Sequence, residues 1–323
     1  MANEEYKAYL AKHKADFIVL TDLQEKELAR LYINAASEIK LRAADIIDKQ
    51  GLTYAQAKIR IKSLLIEASR LSDGFKTILD KSLIDSADLG AEVNKIIMGK
   101  YQDALKKEGI NLNLGKILSK VNPESVKAVY NRIWTDGLKL SDRVWLLDRR
   151  TKQEIERIVL QNIVSGGSAS NKVTLSALDN LLQPGSLKWD SKTQRFISIP
   201  EYKPAKLTSL HGRKVGYESS RLLRTSMSEA FNEGDRLSNL KNPGSTGLKL
   251  LNAVGACEIC TPLDGLPVEQ TGLPPIHVNC RCTTLDEVMS VEAFTDRWIK
   301  FMDNPNSDKK LGDWLVNIYQ KSA

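Results

Sequence analysis

The chain has 323 residues, which is long enough for two domains and a real hydrophobic core. Hydrophobic residues make up 42% and charged residues 27%, as in ordinary globular proteins, and no apolar run reaches the roughly 18 residues of a membrane span. The formal net charge of +7 is a small excess for this length and favours acidic partners such as DNA or an acidic protein surface.

The first 120 residues are predicted to form an N-terminal helical domain (1–120), because apolar residues recur there at helical spacing. The first 20 residues are only weakly periodic and favour at most a short helix. A capping box, Ser or Thr followed three residues later by Glu or Gln, marks a helix start. The two capping boxes are Thr21 with Gln24 and Thr53 with Gln56. Gly51 and the pair Asp73-Gly74 are expected to end helices.

Residues 121–240 are predicted to form a central domain that is also helical. Asn122-Pro123 has the pattern of a helix start, with Asn at the cap and Pro at the first helical position. Ser141 is expected to cap a long helix that carries apolar residues to position 163, and a pair of glycines at 166 and 167 is expected to stop it.

A hairpin and a run of basic residues follow in the central domain. Residues 187–189 and 195–199 are predicted to pair as a β-hairpin across a polar turn. Lys and Arg side chains contact phosphates without reading base sequence, so we interpret the basic residues as a surface for weak, non-specific binding of double-stranded DNA. The predicted contact residues are Lys203, Lys206, Arg213, Lys214, Arg221, Arg224 and Arg236.

All four cysteines lie between residues 255 and 285, within a predicted small α+β module that we call the cysteine module (241–290). The candidate metal ligands are Cys257-x-x-Cys260, His277 and Cys280-x-Cys282. A Cys-x-x-Cys turn aims two thiolates at one point, and residues i and i+2 of an extended chain point the same way. Strands are predicted at 248–251 and 267–269.

Three interpretations of the cysteines are open. Structural zinc is favoured, because no signal peptide precedes the chain and we expect a reducing cytosol, where disulfides are rare. Two disulfides are the second interpretation. Free thiols or a catalytic Cys/His pair are the third, although no further group is positioned to orient His277. With five candidates for four positions, His277 is either a ligand or a neighbour that supports the ligands.

The zinc deaminase motif is excluded. That motif needs H-x-E before P-C-x-x-C. Here the Cys-x-x-Cys comes first, and His277-Val278-Asn279 lacks the glutamate.

Two spaced motifs of the cysteine module resemble the Mu F-like minor head proteins of tailed bacteriophages, often called head morphogenesis proteins. The motifs are Cys-x-x-Cys-x-x-Leu-Asp-Gly (257–265) and Pro-Pro-x-His-x-Asn-Cys-Arg-Cys (274–282). Upstream, residues 141–145 and 163–168 are similar to the central helix of that family and its Gly-Ser turn. The resemblance covers about residues 125–285.

Two positions depart from the pattern of this family. Residues 221–226 are similar to its Arg-Thr-Glu helix, but Ser226 stands where glutamate is expected. The aromatic residue that often precedes the first cysteine is absent, and Leu250 and Leu251 stand nearby. The second departure concerns how the module packs locally.

The resemblance implies a virion component that lies inside the head, near the portal, and is needed for head assembly or for handling the packaged genome. The implied partners are the portal protein, the capsid shell or scaffold protein, and double-stranded phage DNA, with no membrane. Assembly is expected in the host cytoplasm, after which the finished head retains the protein.

The last segment, residues 291–323, is predicted to be an amphipathic tail of two helices separated by residues 304–308. It is unusually aromatic for this chain, and aromatic side chains are common anchors of protein interfaces. We expect the tail either to pack on the cysteine module or to dock on a partner. The predicted partner-binding residues are Phe294, Trp298 and Trp314.

The sequence therefore predicts a mainly α protein, with a multi-helix N-terminal body and a small α+β, cysteine-rich, zinc-binding C-terminal module. The favoured function is that of a minor head protein in head morphogenesis and in packaging or delivery of the DNA. We expect no enzymatic activity, because there is no P-loop, no G-x-S-x-G motif and no carboxylate cluster with catalytic spacing.

Two alternative functions remain. The first is a zinc-dependent nucleic-acid-binding regulator, although no recognition helix closely follows the cysteines. The second is a phage-associated, nuclease-like enzyme. Its extra domain would need about 50 residues or more, for which we expect no room after the cysteine module.

Overall fold

The computed structural model describes residues 3–49, 52–164, 171–183, 187–190, 195–198, 214–253, 256–277 and 280–322. Over these residues the protein is mainly helical, with small antiparallel sheets and a cysteine cluster towards the C-terminus, which confirms the predicted fold class. The α-helices are α1 (Asn3–Ile47), α2 (Tyr54–Lys107), α3 (Leu114–Ile117), α4 (Val121–Asn131), α5 (Leu140–Val164), α6 (Asn171–Leu182), α7 (Val215–Lys241), α8 (Val268–Thr271), α9 (Val291–Asp303), α10 (Lys309–Trp314) and α11 (Gln320–Ser322). The tighter or wider turns are the 3₁₀ segments Leu118–Lys120, Thr261–Leu263 and Pro305–Ser307 and the π segment Leu315–Tyr319. None of the helices in the described part of the chain is both long and apolar enough to cross a bilayer.

Two pairs of antiparallel strands are present among the described residues. The predicted hairpin is confirmed as β1 (Leu187–Asp190) paired with β2 (Arg195–Ser198). The strand predicted at 248–251 is also confirmed, as the second half of β3 (Ser245–Leu251). Its partner is β4 (Thr283–Val288), which begins directly after the last cysteine.

The strand predicted at 267–269 is wrong. Pro267 makes only an isolated bridge to Lys249, and the residues that follow it form the single helical turn α8. The strand that pairs along the length of β3 is β4, whose Leu285 lies opposite Lys249. Residues 265–267 contact the other edge of β3 only at Lys249 and Leu250.

The chain forms two compact units, and each collects segments that are far apart in sequence. Unit 1 comprises Met1–Thr21, Ser82–Arg132 and Thr225–Ala323, and unit 2 comprises Asp22–Lys81 and Ile133–Arg224. The predicted consecutive domains 1–120, 121–240, 241–290 and 291–323 do not coincide with these units. The physical reason is that α1, α2 and α7 each contribute residues to both units.

Helix α1 begins much earlier than the sequence pattern indicated. It runs through Thr21, so the capping box predicted there is wrong. The Thr21 side chain is buried, and its hydroxyl donates to the Phe17 carbonyl oxygen one turn earlier, at 2.8 Å. Phe17 packs against Phe231 of α7 with ring centroids 4.4 Å apart. This tertiary contact stabilises a segment whose own periodicity is weak.

The second capping box is confirmed at the start of α2. The Thr53 N–H donates to Gln56 Oε1 at 3.0 Å, and the Gln56 N–H donates to Thr53 Oγ1 at 3.3 Å. The helix end predicted at Asp73-Gly74 is wrong, because α2 continues to Lys107. Gly74 serves packing instead, since a Cβ there would lie 2.8 Å from Cδ1 of Leu31. The helix end predicted at residue 51 lies outside the described residues.

Two glycines allow α2 and α7 to approach closely within unit 1. A Cβ at Gly90 would lie 2.0 Å from the Phe231 carbonyl oxygen, and a Cβ at Gly234 would lie 2.2 Å from the Ala87 carbonyl oxygen. Both distances are far shorter than a van der Waals contact, so any larger residue would push the two helices apart.

The predicted start of α4 is displaced by two residues. Asn122-Pro123 lies inside the first turn, because α4 begins at Val121 and continues directly from the 3₁₀ segment before it. Proline is still tolerated there, since the first N–H groups of a helix have no intrahelical acceptor.

The predicted cap of α5 is displaced by two residues, from Ser141 to Lys139. Ser141 lies within the helix, which begins at Leu140. The Asp142 carboxylate accepts from the Lys139 N–H at 2.9 Å and so satisfies one of the first donors. The stop predicted at residues 166 and 167 lies outside the described residues.

Polar contacts connect the helices of unit 2. The Asn162 side-chain amide of α5 donates to Thr174 Oγ1 of α6 at 2.6 Å. Arg150 of α5 donates to Glu218 of α7 at 2.6 Å. Each of these partly or fully buried pairs is joined by a direct hydrogen bond, as a packing role requires.

The aromatic residues of the C-terminal tail lie in the core of unit 1. Phe294 stacks on Tyr101 of α2 with centroids 3.9 Å apart, and Trp298 meets Trp314 edge-on at 6.2 Å. The Trp314 indole N–H donates to the Lys241 carbonyl oxygen at 2.9 Å. We call this cluster, with the apolar residues of α2 and residues 114–121 that pack on it, the tail core.

The prediction that Phe294, Trp298 and Trp314 bind a partner is wrong. Their exposed fractions are 0%, 1% and 7%, because their side chains are already packed inside the tail core. The cysteines do not belong to this cluster. The tail therefore packs on the end of α2, and it contacts the cysteine module at Pro243, Val288 and Met289 but not at the cysteines.

Candidate metal centre

The β3–β4 sheet brings the two cysteine pairs to one place. β3 ends at Leu251, opposite the first residue of β4. Cys257 and Cys260 follow β3, whereas Cys280 and Cys282 immediately precede β4. Because the strands are antiparallel, the segment that leaves β3 and the segment that enters β4 meet at the same end of the sheet.

A tight turn orients the first pair. The Cys260 N–H donates to the Cys257 carbonyl oxygen at 3.0 Å, and the Thr261 N–H donates to the same oxygen at 2.9 Å. The Thr261 hydroxyl also donates to it, at 2.9 Å. This turn is helical in character, so the side chains at i and i+3 project to one side.

The five predicted ligands converge, and we call them the donor cluster. The His277 Nε2 atom lies 3.0 Å from Cys257 Sγ and 3.3 Å from Cys260 Sγ, and Cys260 Sγ lies 3.8 Å from Cys280 Sγ. The donor atoms of Cys257, Cys260 and His277 lie within 4.8 Å of one another, as do those of Cys260, Cys280 and Cys282. Cys260 is common to both groups and so occupies the centre of the cluster.

The distance between the Cys260 and Cys280 sulfur atoms is compatible with a shared metal ion and is too long for a disulfide bond. Zinc–sulfur bonds of about 2.3 Å in a tetrahedron place two sulfur atoms about 3.8 Å apart. A disulfide bond is about 2.05 Å long, and all four cysteines are free. The cluster can therefore hold a metal ion, and it offers five donors for the four positions that a closed, structural site needs.

Burial divides the donor cluster into an inner and an outer part. Cys260, Cys280 and Cys282 are buried, whereas Cys257 is exposed and His277 is half-buried. The inner part packs on Leu250, the fully buried residue of β3, and on partly buried side chains such as Leu263 and Ile276. A metal here would be shielded from water on the side of the sheet.

The burial and clustering of the thiols oppose their ionisation unless a cation is bound. Burial raises the pKa of the Cys260 and Cys282 thiols, and the neighbouring Cys280 adds to the rise for both. Hydrogen bonding from the Cys260 N–H is the main reason why the pKa of Cys257 falls to about 7. A bound dication would reverse the rise, because a coordinating thiol is deprotonated outright.

The Leu263-Asp264-Gly265 turn is fixed to β3 beside the donor cluster. The Gly265 N–H donates to the Leu250 carbonyl oxygen at 2.8 Å, and the backbone at Gly265 has a φ of 74°, which favours glycine. The Asp264 carboxylate accepts from the Asn252 N–H at 2.7 Å. The turn therefore holds the Cys-x-x-Cys segment against the sheet.

Sequence reasoning missed Asn252. This residue contacts Cys282 and also the segment that follows the first cysteine pair. Its side-chain oxygen lies 3.5 Å from Cys282 Sγ, and its side-chain nitrogen donates to the Thr261 carbonyl oxygen at 3.3 Å. Its own carbonyl oxygen accepts from Lys14 of α1 at 2.6 Å. The sequence carried no signal for this contact, because 238 residues separate Lys14 from Asn252.

A buried polar network, also missed, joins the cluster to α7 and α2. The Asn232 side chain donates to the Cys282 carbonyl oxygen at 3.3 Å and accepts from Thr284 at 3.3 Å. Thr284 also donates to Asp235. In the next layer, Asn94 of α2 donates to Asp286 of β4 at 2.7 Å. These residues fix the start of β4, and hence Cys282, on the helices.

Two buried carboxyl groups share this network. Burial raises the pKa of Asp235 to about 6. Burial and then the charge of Asp235 hold the pKa of Asp286 well above its usual value. The pair therefore retains a proton at mildly acidic pH, because two adjacent carboxylates cannot both ionise cheaply.

The predicted DNA-contact residues are only partly described. Three of them, Lys203, Lys206 and Arg213, lie outside the described residues. Arg224 donates to Glu25, and Arg236 donates to Glu233 at 2.7 Å, so glutamates within the chain balance both charges.

The remaining two basic residues also make contacts within the chain. Lys214 donates to Gln183 at 2.6 Å. The Arg221 guanidinium lies 5.5 Å from the centre of the Tyr217 ring. DNA binding by this set of residues stays a prediction.

No family profile, curated protein or solved structure matches the chain. Its function must therefore be inferred from its own residues. Among the described residues, the donor cluster is where side chains with metal-ligand chemistry converge.

Proposed function

We propose that the protein is a minor head protein of a tailed bacteriophage, and that a structural zinc ion stabilises its cysteine module. The observation that carries the proposal is the convergence of five sulfur and nitrogen donors at one end of a two-stranded sheet. The two motifs that resemble the Mu F-like minor head proteins contain all five donors.

The donor end of the sheet has little apolar surface of its own. Apart from the cysteines, Leu250 is the fully buried residue of the apolar cluster beneath the donors. Metal ligation contributes folding free energy directly to small modules of this kind.

The donor chemistry selects zinc over the hard cations. Calcium and magnesium take oxygen ligands, whereas the donor cluster offers thiolate sulfur and imidazole nitrogen. A tetrahedral set of such donors is typical of structural zinc. More donors than positions also leaves no open place for substrate, which favours a structural role over a catalytic one.

The metal content of the purified full-length protein tests this part of the proposal. We expect about one zinc ion per chain. Cys260→Ser should lose the zinc, because Cys260 belongs to both groups of donors. Thr271→Ser, a change in the same module that removes neither a thiol nor an imidazole, should keep it. Protein without zinc and with four titratable thiols would contradict the proposal.

The role in the virion rests on the resemblance. The protein is proposed to associate with the portal protein, and with the shell or scaffold, during assembly in the host cytoplasm and to be retained inside the head. Because the tail aromatics are buried, we propose that the partner surface lies on the helices before residue 110 and not on the tail. Mass analysis of purified heads and co-purification with the portal protein test this role. Absence from heads together with no binding to the portal would contradict it.

Weak contact with packaged DNA belongs to the same proposal. The glutamate partners of Arg224 and Arg236 imply few phosphate contacts, so affinity should fall only shallowly with salt. The expected log–log slope is roughly 0.9 per phosphate contacted. Sequence-specific binding, or binding that salt does not change, would contradict non-specific phosphate contact.

A further inference from the structure

Lys14 of helix α1 reaches the cysteine module from the other end of the sequence. Its ammonium group donates to the Asn252 carbonyl oxygen at 2.6 Å. The side-chain oxygen of the same asparagine lies 3.5 Å from Cys282 Sγ. A single residue, Asn252, therefore connects Lys14 to a candidate ligand.

The position of Lys14 is fixed by its neighbours on α1. His13 is buried, and Phe17 packs on Phe231 with centroids 4.4 Å apart. Lys12, two residues earlier on the same helix, is exposed. The helix thus presents Lys14 to the module and leaves Lys12 in water.

The charge of Lys14 suits the site. Several thiolates around a dication leave the centre negative overall, and Asp264 adds a further negative charge beside Asn252. Burial lowers the pKa of Lys14, but the negative charges of Cys282 and then of Asp264 oppose that change. The negative charges of the thiolates and of Asp264 offset the cost of burying half of this ammonium group. The same burial without such charges would destabilise the folded protein.

We propose that Lys14 is a positioning residue of the metal centre, which holds Asn252 beside Cys282 and compensates the negative charge of the bound thiolates. Metal binding is thereby linked to the docking of the N-terminal part of α1 on the cysteine module. The inference rests on the proposed metal site and adds to it a residue outside the motifs.

Metal affinity of the full-length protein tests the inference. Cobalt(II) is the probe, because its thiolate complexes absorb light, and zinc competition then gives the zinc affinity. Lys14→Gln removes the charge and should weaken zinc binding by about tenfold, as is usual for groups that support metal ligands. Lys14→Arg should restore most of the affinity. Lys12→Gln is the matched control and should leave it unchanged.

Two results would overturn the inference without touching the proposed function. One is a Lys14→Gln affinity within twofold of the unaltered protein. The other is an equal loss in Lys14→Gln and Lys14→Arg, which indicates a steric requirement and not a charge. If the unaltered protein binds no metal, the proposed function itself fails.

Chemical labelling of the unaltered protein gives a second, independent measurement. An amine-acetylating reagent should modify Lys14 several-fold more slowly with zinc bound than after chelation, because the metal holds the module against α1. Lys12 should react equally in both states. Equal protection of Lys14 with and without zinc would contradict the link between metal binding and docking of α1.

Discussion

The tail core and the cysteine module both lie in unit 1, but different interactions hold their buried residues together. The tail core buries large aromatic side chains, including Tyr101, Phe294 and Trp298 at 1% exposure or less. The buried apolar cluster of the cysteine module consists of Leu250 and three cysteines, and these cysteines, with Cys257 and His277, are the candidate metal donors. Aromatic burial stabilises the first, whereas the stability of the second is proposed to depend on a bound metal ion. The proposal therefore divides unit 1 into a metal-dependent region and a metal-independent region.

The largest expected effect comes from removing the metal. Chelation, or Cys260→Ser, should remove on the order of 10 kcal/mol of ligation free energy from the cysteine module. Hydrogen exchange should then rise in β3 and β4, which follow and precede the cysteines, while the middle of α2 stays protected. Loss of protection throughout both units on chelation would show that the two regions are not independent.

The second effect concerns the tail core. Trp298→Ala should cost roughly 3–5 kcal/mol of unfolding free energy, because a large buried side chain leaves a cavity. Met302→Ala, on the same helix but 58% exposed, is the control and should cost little. Denaturant unfolding measures both. The comparison fails if Trp298→Ala releases zinc while leaving the unfolding free energy unchanged.

The third effect is on stability and tests the close approach of α2 and α7 within unit 1. Gly90→Ala should cost roughly 1–3 kcal/mol, since its Cβ would meet the Phe231 carbonyl oxygen. Gly99→Ala, on the same helix, has no atom within 4 Å of its Cβ and should stabilise the protein by up to about 1 kcal/mol. Equal effects of the two substitutions in thermal unfolding would argue against the observed helix contact.

The smallest effect is a pH dependence of the polar network. Burial raises the pKa of Asp235 from 3.8 to about 6, so the folded state binds this proton more tightly than the unfolded state. The stabilising contribution is therefore complete below about pH 4 and is lost as pH rises through about 6. Asp235→Asn should remove most of this pH dependence of the unfolding free energy, a change on the order of 1 kcal/mol between about pH 4 and pH 7. Asp303→Asn, an exposed control, should retain the slope.

Local signals in the sequence predicted some helix starts and strands correctly and others wrongly. The Thr53 capping box lies at a true helix start, where both reciprocal hydrogen bonds form. The same pattern at Thr21 lies within α1, because the packing of Phe17 on Phe231 extends the helix through it. A capping box states what a helix start requires, but tertiary packing decides whether the helix starts there.

The donor cluster was predictable because the spacing of its cysteines and histidine is typical of metal ligands. The residues that support the cluster were not predictable. Five ligands were named from their order alone, and the structure brings them together in two overlapping groups. Lys14, Asn232 and Asp286 come from three distant segments and meet the module only through the fold. Likewise, the strand that pairs with β3 is Thr283–Val288, after the last cysteine, and not residues 267–269.

X-ray absorption at the zinc edge of the purified, reduced full-length protein tests the central claim most directly. The proposal predicts about one zinc ion per chain, surrounded mainly by sulfur at about 2.3 Å and by at most one nitrogen at about 2.0–2.1 Å. The sulfur shell should disappear in Cys260→Ser. Protein that carries no zinc, or zinc surrounded only by oxygen and nitrogen, would contradict a structural metal centre in the cysteine module.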